Sequence, residues 1–298
     1  MNGYPEPFSE PYPAPAKLNL MLRVVGRRGD GYHLLQTVFR FIDYGDELRF
    51  RVRADGVIAR VNNVPGLPAN DDLCVRAART LQQASGSPLG ADIVLDKRLP
   101  MGGGLGGGSS DAATTLMALN HLWKTGLSRT QLLDLAAKLG ADVPVFVFGE
   151  NASAEGIGEQ LQALDLPPAW YVVLCPPVAV STAAVFNHPD LKRDSQKVTI
   201  QGFTGVADSV VGTGFSIEAV NDLQTLVARQ YPEVARHLAW LSRHAGGVKS
   251  LMTGSGACVF ASFGSEAEAR RVIVQLPADM QGFVARGLQR HPLYGLVQ

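Results

Sequence analysis

Between Pro100 and Trp123 the chain reads PMGGGLGGGSSDAATTLMALNHLW, with six glycines in the seven positions 102–108 and a helix-like run directly behind them. Glycine loses more backbone freedom on ordering than any other residue. A run of this kind is therefore either a flexible linker or a place where bare backbone must come close to something. A linker does not usually run straight into a helix. Ala112, Ala113, Leu116, Leu119, Leu122 and Trp123 recur at helical spacing and predict one apolar stripe. Ser109, Ser110 and Asp111 stand where a helix start takes capping side chains. A helix N-terminus presents free N–H groups, and with glycine in front of it the arrangement suits an anion, most often a phosphate.

The rest of the chain limits what such a site can serve. Its 298 residues have room for one large or two ordinary domains. Hydrophobic residues at 46% and charged residues at 18% describe a globular chain. The 27 basic residues balance the 27 acidic ones, so there is no overall basic field for nucleic acid. Cys74, Cys175 and Cys258 form no CxxC pair and lie among apolar neighbours, as reduced core residues do. No apolar stretch approaches a membrane span, and the proline-rich start does not read as a signal peptide. These features predict a cytoplasmic protein with no nucleic-acid or membrane partner; the accompanying expectation is a small-molecule substrate and a monomer or weak homodimer, which composition does not itself fix.

Periodicity predicts strands over 17–25, 34–42 and 47–53. A helix follows, capped at Asn70 or Asp71 with Leu73, Ala77, Ala78 and Leu81 on its apolar face. A strand over 91–96 leads into the glycine run. Ser128 and Gln131 make a capping box for a helix over 128–139 that Gly140 stops. The second half reads as a strand over 170–175, a short helix over 181–186, and helices over 215–229 and 232–244. Short strands over 249–252 and 258–263 flank TGSG, followed by a helix over 265–273 and a last strand around 282–285. Neither half repeats strand and helix regularly, which argues for an α+β fold with domains over 1–160 and 161–298.

The glycine run lacks the lysine of a GxxxxGK[ST] loop. Gly102, Gly104 and Gly107 match the bare GxGxxG spacing, but without the strand–helix context of a dinucleotide fold. Phosphate charge must then be balanced by backbone N–H groups, by the helix end, or by a magnesium ion (Mg2+) on Ser109, Ser110 or Asp111. Helix capping alone would also account for those three. Transfer to an alcohol further needs a group that orients and deprotonates the acceptor. Lys17 and Asn19 share one face of an otherwise apolar strand, and Asp142 sits between a helix stop and the apolar run VPVFVFG. A lysine facing that aspartate keeps it ionised. The plainer alternatives are a solvent-facing lysine and a helix cap before Pro144.

Four stretches, PAPAKLNLMLRVVGRRGDGYHLLQTVF, LPMGGGLGGGSSDAATTLMALN, GADVPVFVFG and TGSGACVFA, together resemble the GHMP kinases over residues 15–261. The resemblance implies the GHMP kinase fold. An N-terminal domain is like domain 2 of ribosomal protein S5, a C-terminal domain is ferredoxin-like, and ATP and substrate meet in the cleft between them. It implies Lys17 and Asp142 as the catalytic pair, with Asn19 beside the acceptor. The phosphate loop is Pro100, Met101, Gly102, Gly103, Gly104, Leu105, Gly106, Gly107, Gly108, Ser109 and Ser110. AKLNL with GRRGDGYH is similar to the members that phosphorylate the 2-hydroxyl of a methylerythritol unit carried on cytidine diphosphate, in the non-mevalonate isoprenoid route. In that branch Tyr32, His33 and Phe186 hold the cytosine, and Gly254, Ser255 and Gly256 lie near the substrate diphosphate. On local grounds alone, Tyr32 and His33 read equally as turn residues after Gly31, and TGSG as a strand connection. Asn62, Asn63 and the 65–70 loop fall where adenine contacts are expected, and NDLQ at 221–224 organises a helix near the substrate.

Overall fold

The structure, a computed structural model, describes residues 7–200 and 219–297. The chain opens with a long antiparallel pair, β1 (Tyr12–Arg27) and β2 (His33–Arg53), joined by a turn in which Gly31 takes a φ of 93°. The two strand candidates expected over 34–42 and 47–53 are one continuous strand. The register shift between Pro15 and Ala16 falls opposite the stretch that contains Gly45. A Cβ on Gly45 would lie 2.1 Å from the Ala14 carbonyl oxygen, so glycine lets β2 pass this point without breaking. A second shift between Asn19 and Met21 leaves Leu20 unpaired, a bulge beside the face that carries Lys17 and Asn19.

β3 (Ile58–Arg60) and β4 (Gly90–Asp96) extend the first sheet on one side of β2, and β5 (Ala152–Glu155) and β6 (Gln160–Ala163) on the other. Helices α1 (Leu73–Ser85), α2 (Gly107–Leu122), α3 (Arg129–Leu139) and α4 (Val143–Phe148) cover one face of this sheet. The cap of α1 is Asp72, one residue beyond the expected positions, and its side chain accepts the Cys74 N–H. The capping box of α3 is present as read, and Gly140 ends that helix. α2 departs from the single stripe: residues from Ser110 to Asn120 are buried on every side. A helix enclosed by sheet and neighbouring helices needs no polar face, and its alanines and threonines allow the close packing.

The second sheet has the order β10–β7–β9–β8. β7 (Trp170–Leu174) is followed by α5 (Thr182–Asn187), α6 (Gln224–Gln230) and α7 (Pro232–His244). Then come β8 (Leu251–Met252), β9 (Val259–Phe263), α8 (Glu266–Ile273) and β10 (Gly282–Arg286). The helix expected over 215–229 begins only at Gln224: Asn221 bridges to Leu22 of β1, and a turn through Leu223 leads into the helix. The part before residue 219 lies outside the described residues. Antiparallel pairing dominates both sheets and the helices segregate to their faces, an α+β arrangement.

The two sheets are not independent. Leu18, Leu20 and Met21 of β1 pack with Tyr171, Val173 and Phe260 of the second sheet, and Leu22 and Val24 enter its helical core. After β10 the chain returns to the first sheet. The Leu288 N–H donates to Phe41 O and the His291 N–H to Gly149 O, while Arg129 donates to the carbonyls of Tyr294 and Val297.

His291 is 1% exposed, with its ring edge-on to Phe41. Burial, aided by the Arg129 charge, holds its imidazole down at about 3. The folded form therefore keeps it neutral where the unfolded chain, near its ordinary pKa of about 6.5, takes a proton. Stability from this residue is complete above about pH 6.5 and is lost as pH falls, by about 1.4 kcal/mol per unit. Urea unfolding of the parent and of His291→Gln at pH 7 and pH 5 is expected to show the pH-dependent gap between them shrinking by about 2 kcal/mol.

Candidate active site

A cavity of about 960 Å³ runs between the two sheets, lined by the glycine loop, β1, the 28–33 turn, α5 and the TGSG segment. Lys17, Asn19, Asp142, Tyr32, His33 and Phe186 all border it.

The glycine loop closes one end. Gly102, Gly104 and Gly106 have φ of 69°, 74° and 74°, a region that side chains with a Cβ rarely adopt. Gly106 is the N-cap of α2, and no side chain caps the helix. The capping expected of Ser109, Ser110 and Asp111 is thus absent, because α2 starts two residues earlier than Ser109. The Ser110 hydroxyl donates to Pro15 O instead, at 2.7 Å, and tethers α2 to β1. An uncapped first turn leaves its N–H groups available to an anion. Leu105 O accepts the Lys17 N–H, and the loop meets TGSG through Ala257 N–H to Gly102 O and Cys258 N–H to Gly103 O. A Cβ on Gly104 would lie 2.2 Å from Thr253 O. The glycines therefore serve contact with protein backbone as well as space for a ligand.

Lys97 is a charge beneath this loop that the sequence pattern did not single out. It follows β4 and pairs with both Asp46 and Asp111. Burial works to lower the pKa of its ammonium, but the Asp111 and Asp46 carboxylates outweigh that and hold it above the ordinary range. Asp46 in turn accepts the backbone N–H groups of Arg98 and Leu99.

The bulged face of β1 holds the charged pair. The Lys17 Nζ lies 3.3 Å from Asp142 Oδ2, with the lysine side chain 3% exposed and the aspartate 40% exposed. Asp142 occupies the N-cap position of α4, yet its side chain makes no cap hydrogen bond and turns to the lysine. Asn19 Oδ1 accepts from Lys17 Nζ at 2.7 Å. Asn19 Nδ2 donates to Thr37 Oγ1, which itself donates to Met21 O, so the amide can present only its oxygen to the lysine. Thr253 Oγ1 accepts the Asn19 N–H. Thr37 and Thr253 are positioning residues; a threonine inside a strand, as Thr37 is, or in a strand connection, as Thr253 is, carries no local signal of such a role.

At the other end, the rings of His33 and Phe186 lie 5.0 Å apart at 38°, and Tyr32 stands 60% exposed beside them. Gly254, Ser255 and Gly256 line the wall between the two ends, where the Ser255 and Thr182 hydroxyls meet at 2.7 Å. TGSG is thus both the β8–β9 connection and part of the cleft. Asn62 commits both ends of its amide to the Leu95 backbone, and Asn63 is exposed. Leu67 and Asp71 border the cavity from that loop. Asn221 donates through Nδ2 to Met252 O and Gly254 O, and its Oδ1 accepts the Leu223 N–H just ahead of α6.

Comparison with known proteins gives this geometry a class. The GHMP kinases N terminal domain matches residues 72–150, and the GHMP kinases C terminal domain matches residues 211–282. The chain belongs to the GHMP kinases and is an ATP-dependent small-molecule kinase with the fold of that family. Within it, the chain is 58% identical to the 4-diphosphocytidyl-2-C-methyl-D-erythritol kinase of Nitrosospira multiformis, over 96% of this chain and 94% of that one. It is 56% identical to the kinase of the same name from an Azoarcus species, over 96% of each. A crystal structure of 4-(cytidine 5'-diphospho)-2C-methyl-D-erythritol kinase superposes with a TM-score of 0.77 at 33% identity, over 93% of this chain and 99% of that one. The homoserine kinase of Cytophaga hutchinsonii shares the fold with a TM-score of 0.62 at 16% identity, over 97% and 98%. Among the described residues no helix is long and apolar enough to cross a membrane.

A Cβ on Gly106 would lie 2.9 Å from Phe146 Cζ and 3.1 Å from both Cγ and Cε of Lys17. Gly106→Ala is therefore expected to displace Lys17 and to lower kcat by about tenfold or more at saturating ATP. Gly126 has a similar φ of 71° but no atom within 4 Å of its Cβ position. Gly126→Ala is expected to cost about 1 kcal/mol of stability, with kcat unchanged. Equal kcat in the two variants would separate Gly106 from the lysine.

Proposed function

We propose that this kinase transfers the γ-phosphoryl group of ATP to the 2-hydroxyl of 4-diphosphocytidyl-2-C-methyl-D-erythritol, a step toward isoprenoid precursors by the non-mevalonate route. The observation that carries the reading is the 3.3 Å Lys17–Asp142 pair, in one cavity with an uncapped helix start at one end and His33 and Phe186 at the other. The names of the relatives support the choice of acceptor.

In this reading the acceptor oxygen attacks Pγ in line. Its bond to phosphorus forms as the bond to the β-phosphate oxygen breaks, and ADP leaves. Asp142 orients the hydroxyl and takes its proton. Lys17, held by Asn19, meets the charge on the transferring group. The first-turn N–H groups of α2 and the backbone of residues 102–108 hold the ATP phosphates. Gly254, Ser255 and Gly256 lie along the acceptor's diphosphate, and Tyr32, His33 and Phe186 enclose its base. Binding energy from the cytidine then helps hold the reacting hydroxyl in place.

Among the described residues no cluster of three His, Cys, Asp or Glu is arranged to hold a metal. The residues present fit a magnesium ion carried by the nucleotide. Asp111 Oδ1 is buried without a partner, and Asp111 and Ser109 both line the cleft. Ser109 and Asp111 are the side chains that would hold it; Ser110 is committed to Pro15. When bound, such an ion neutralises charge on the β- and γ-phosphate oxygens.

The test is ADP release with a panel of acceptors: the diphosphocytidyl compound, methylerythritol phosphate, homoserine, mevalonate and galactose. Turnover confined to the first is expected, and a preference for any other acceptor would overturn the reading. Asp142→Asn keeps the shape of the side chain and leaves Asn19 accepting from Lys17, so the variant is expected to remain folded and to bind ATP. Its phosphoryl transfer is expected to fall at least about 100-fold. Near-parental turnover would remove the aspartate from the chemistry.

A further inference from the structure

The cleft's base end contains a residue that neither the motifs nor the comparisons bring forward. Arg193 lies in the irregular segment after α5, and its Nε donates to His33 Nε2 at 3.0 Å. The rest of the guanidinium is fixed by three backbone carbonyls. One Nη donates to Leu191 O at 2.9 Å, and the other donates to Phe186 O at 3.0 Å and His188 O at 2.7 Å. The arginine therefore ties the histidine to the very segment that carries Phe186, whose ring packs on it.

A guanidinium has only donors. The nitrogen it meets on the imidazole has to be an acceptor, so His33 Nε2 carries no proton. In a neutral ring the proton then sits on Nδ1. His33 Nδ1 makes no hydrogen bond among the described residues, and the side chain borders the cleft. Burial, together with the charges of Arg193 and Arg27, lowers the histidine's pKa and keeps the ring neutral.

We propose that Arg193 is a positioning residue that locks His33 as its Nδ1–H tautomer and so sets the pocket's choice of pyrimidine. A fixed donor facing position 3 of the base suits cytosine, whose N3 is an acceptor. Uracil carries a proton on N3, and two donors would face each other there. The inference rests on the cytidine reading of the site given above. Leaving a desolvated donor without an acceptor lowers affinity by a factor of about ten to a hundred. The same chemistry explains the three carbonyl anchors. A freely rotating arginine could leave Nε2 and let the ring change tautomer, whereas one held by its own segment cannot.

The tautomer can be read directly on the unaltered, ligand-free protein by nitrogen NMR of the His33 ring at pH 7.5. A protonated Nδ1 is expected, and a protonated Nε2 would overturn the proposal. Calorimetric titration with cytidine diphosphate and with uridine diphosphate gives the second reading. The parent is expected to prefer the cytidine compound by about tenfold or more. In Arg193→Gln, whose amide can donate or accept, that preference is expected to shrink to within about threefold, with mixed tautomer signals from His33. Arg193→Lys keeps a donor-only group and is expected to retain part of the preference. A folded Arg193→Gln protein with undiminished preference would overturn the proposal, as would a parent that binds both diphosphates equally. A parent that prefers cytidine diphosphate yet transfers no phosphate to the diphosphocytidyl acceptor would sink the functional reading and support the role of Arg193.

Discussion

A lysine ammonium with almost no access to water is the constraint around which the cleft is arranged. A buried charge is costly unless it is paired and hydrogen-bonded. Lys17 obtains both from residues far apart in the chain: Asp142 from the start of α4, and Asn19 from its own strand. Asn19 is itself oriented by Thr37 on β2 and Thr253 from the second sheet. Gly106 and Gly254 both lie against that one side chain, where a Cβ would come within 3.1 Å and 3.4 Å of it. In the proposed reading, removing the aspartate's charge while keeping its shape perturbs the chemistry, whereas adding a Cβ to Gly106 perturbs the position of the lysine.

Much of this was legible in the sequence because it is local. The capping box of α3, the proline at the start of α7 and the glycine run before α2 are signals within a few residues of the elements they set. The misreadings have a common cause in tertiary packing. Ser109, Ser110 and Asp111 look like caps, but Ser110 is needed to tether α2 to Pro15 and Asp111 to pair with Lys97. α2 looks amphipathic but is enclosed, and the stretch at 219–223 looks helical but bridges to β1. Lys97, Thr37 and Arg193 were invisible as site residues because their partners lie 51, 18 and 160 positions away. Nothing in their own neighbourhoods distinguishes them from other strand or loop residues.

Asp142 illustrates how the structure separates two readings that the sequence left open. Position and composition both favour a helix cap: the residue precedes a short helix with proline in its first turn. A cap would spend the carboxylate on backbone N–H groups. Here the side chain leaves the helix end unbonded and approaches the ammonium, so the local signal is overridden by a longer-range charge. The pair is asymmetric, with the lysine enclosed and the aspartate partly open to the cleft. That asymmetry suits a group that must reach an incoming hydroxyl beside one that must stay in place.

The two ends of the cavity are built from different materials, and this has a consequence for specificity. The phosphate end is mostly backbone: an uncapped helix start and glycines with positive φ. Backbone N–H groups hold a phosphate whatever group carries it, so in the proposed reading this end sets the reaction type rather than the acceptor. The base end is made of side chains, Tyr32 and His33 from a hairpin turn, Phe186 from a short helix and Arg193 from the segment behind it. Side-chain donors on such connections can be exchanged without disturbing either sheet. A kinase with a fixed phosphate end can therefore change its acceptor by altering these few residues. In the proposed reading, an arginine at the side-chain end that dictates where a histidine keeps its proton is a more exacting selector than an aromatic stack, because stacking accepts every base while a fixed N–H accepts only those with a matching lone pair.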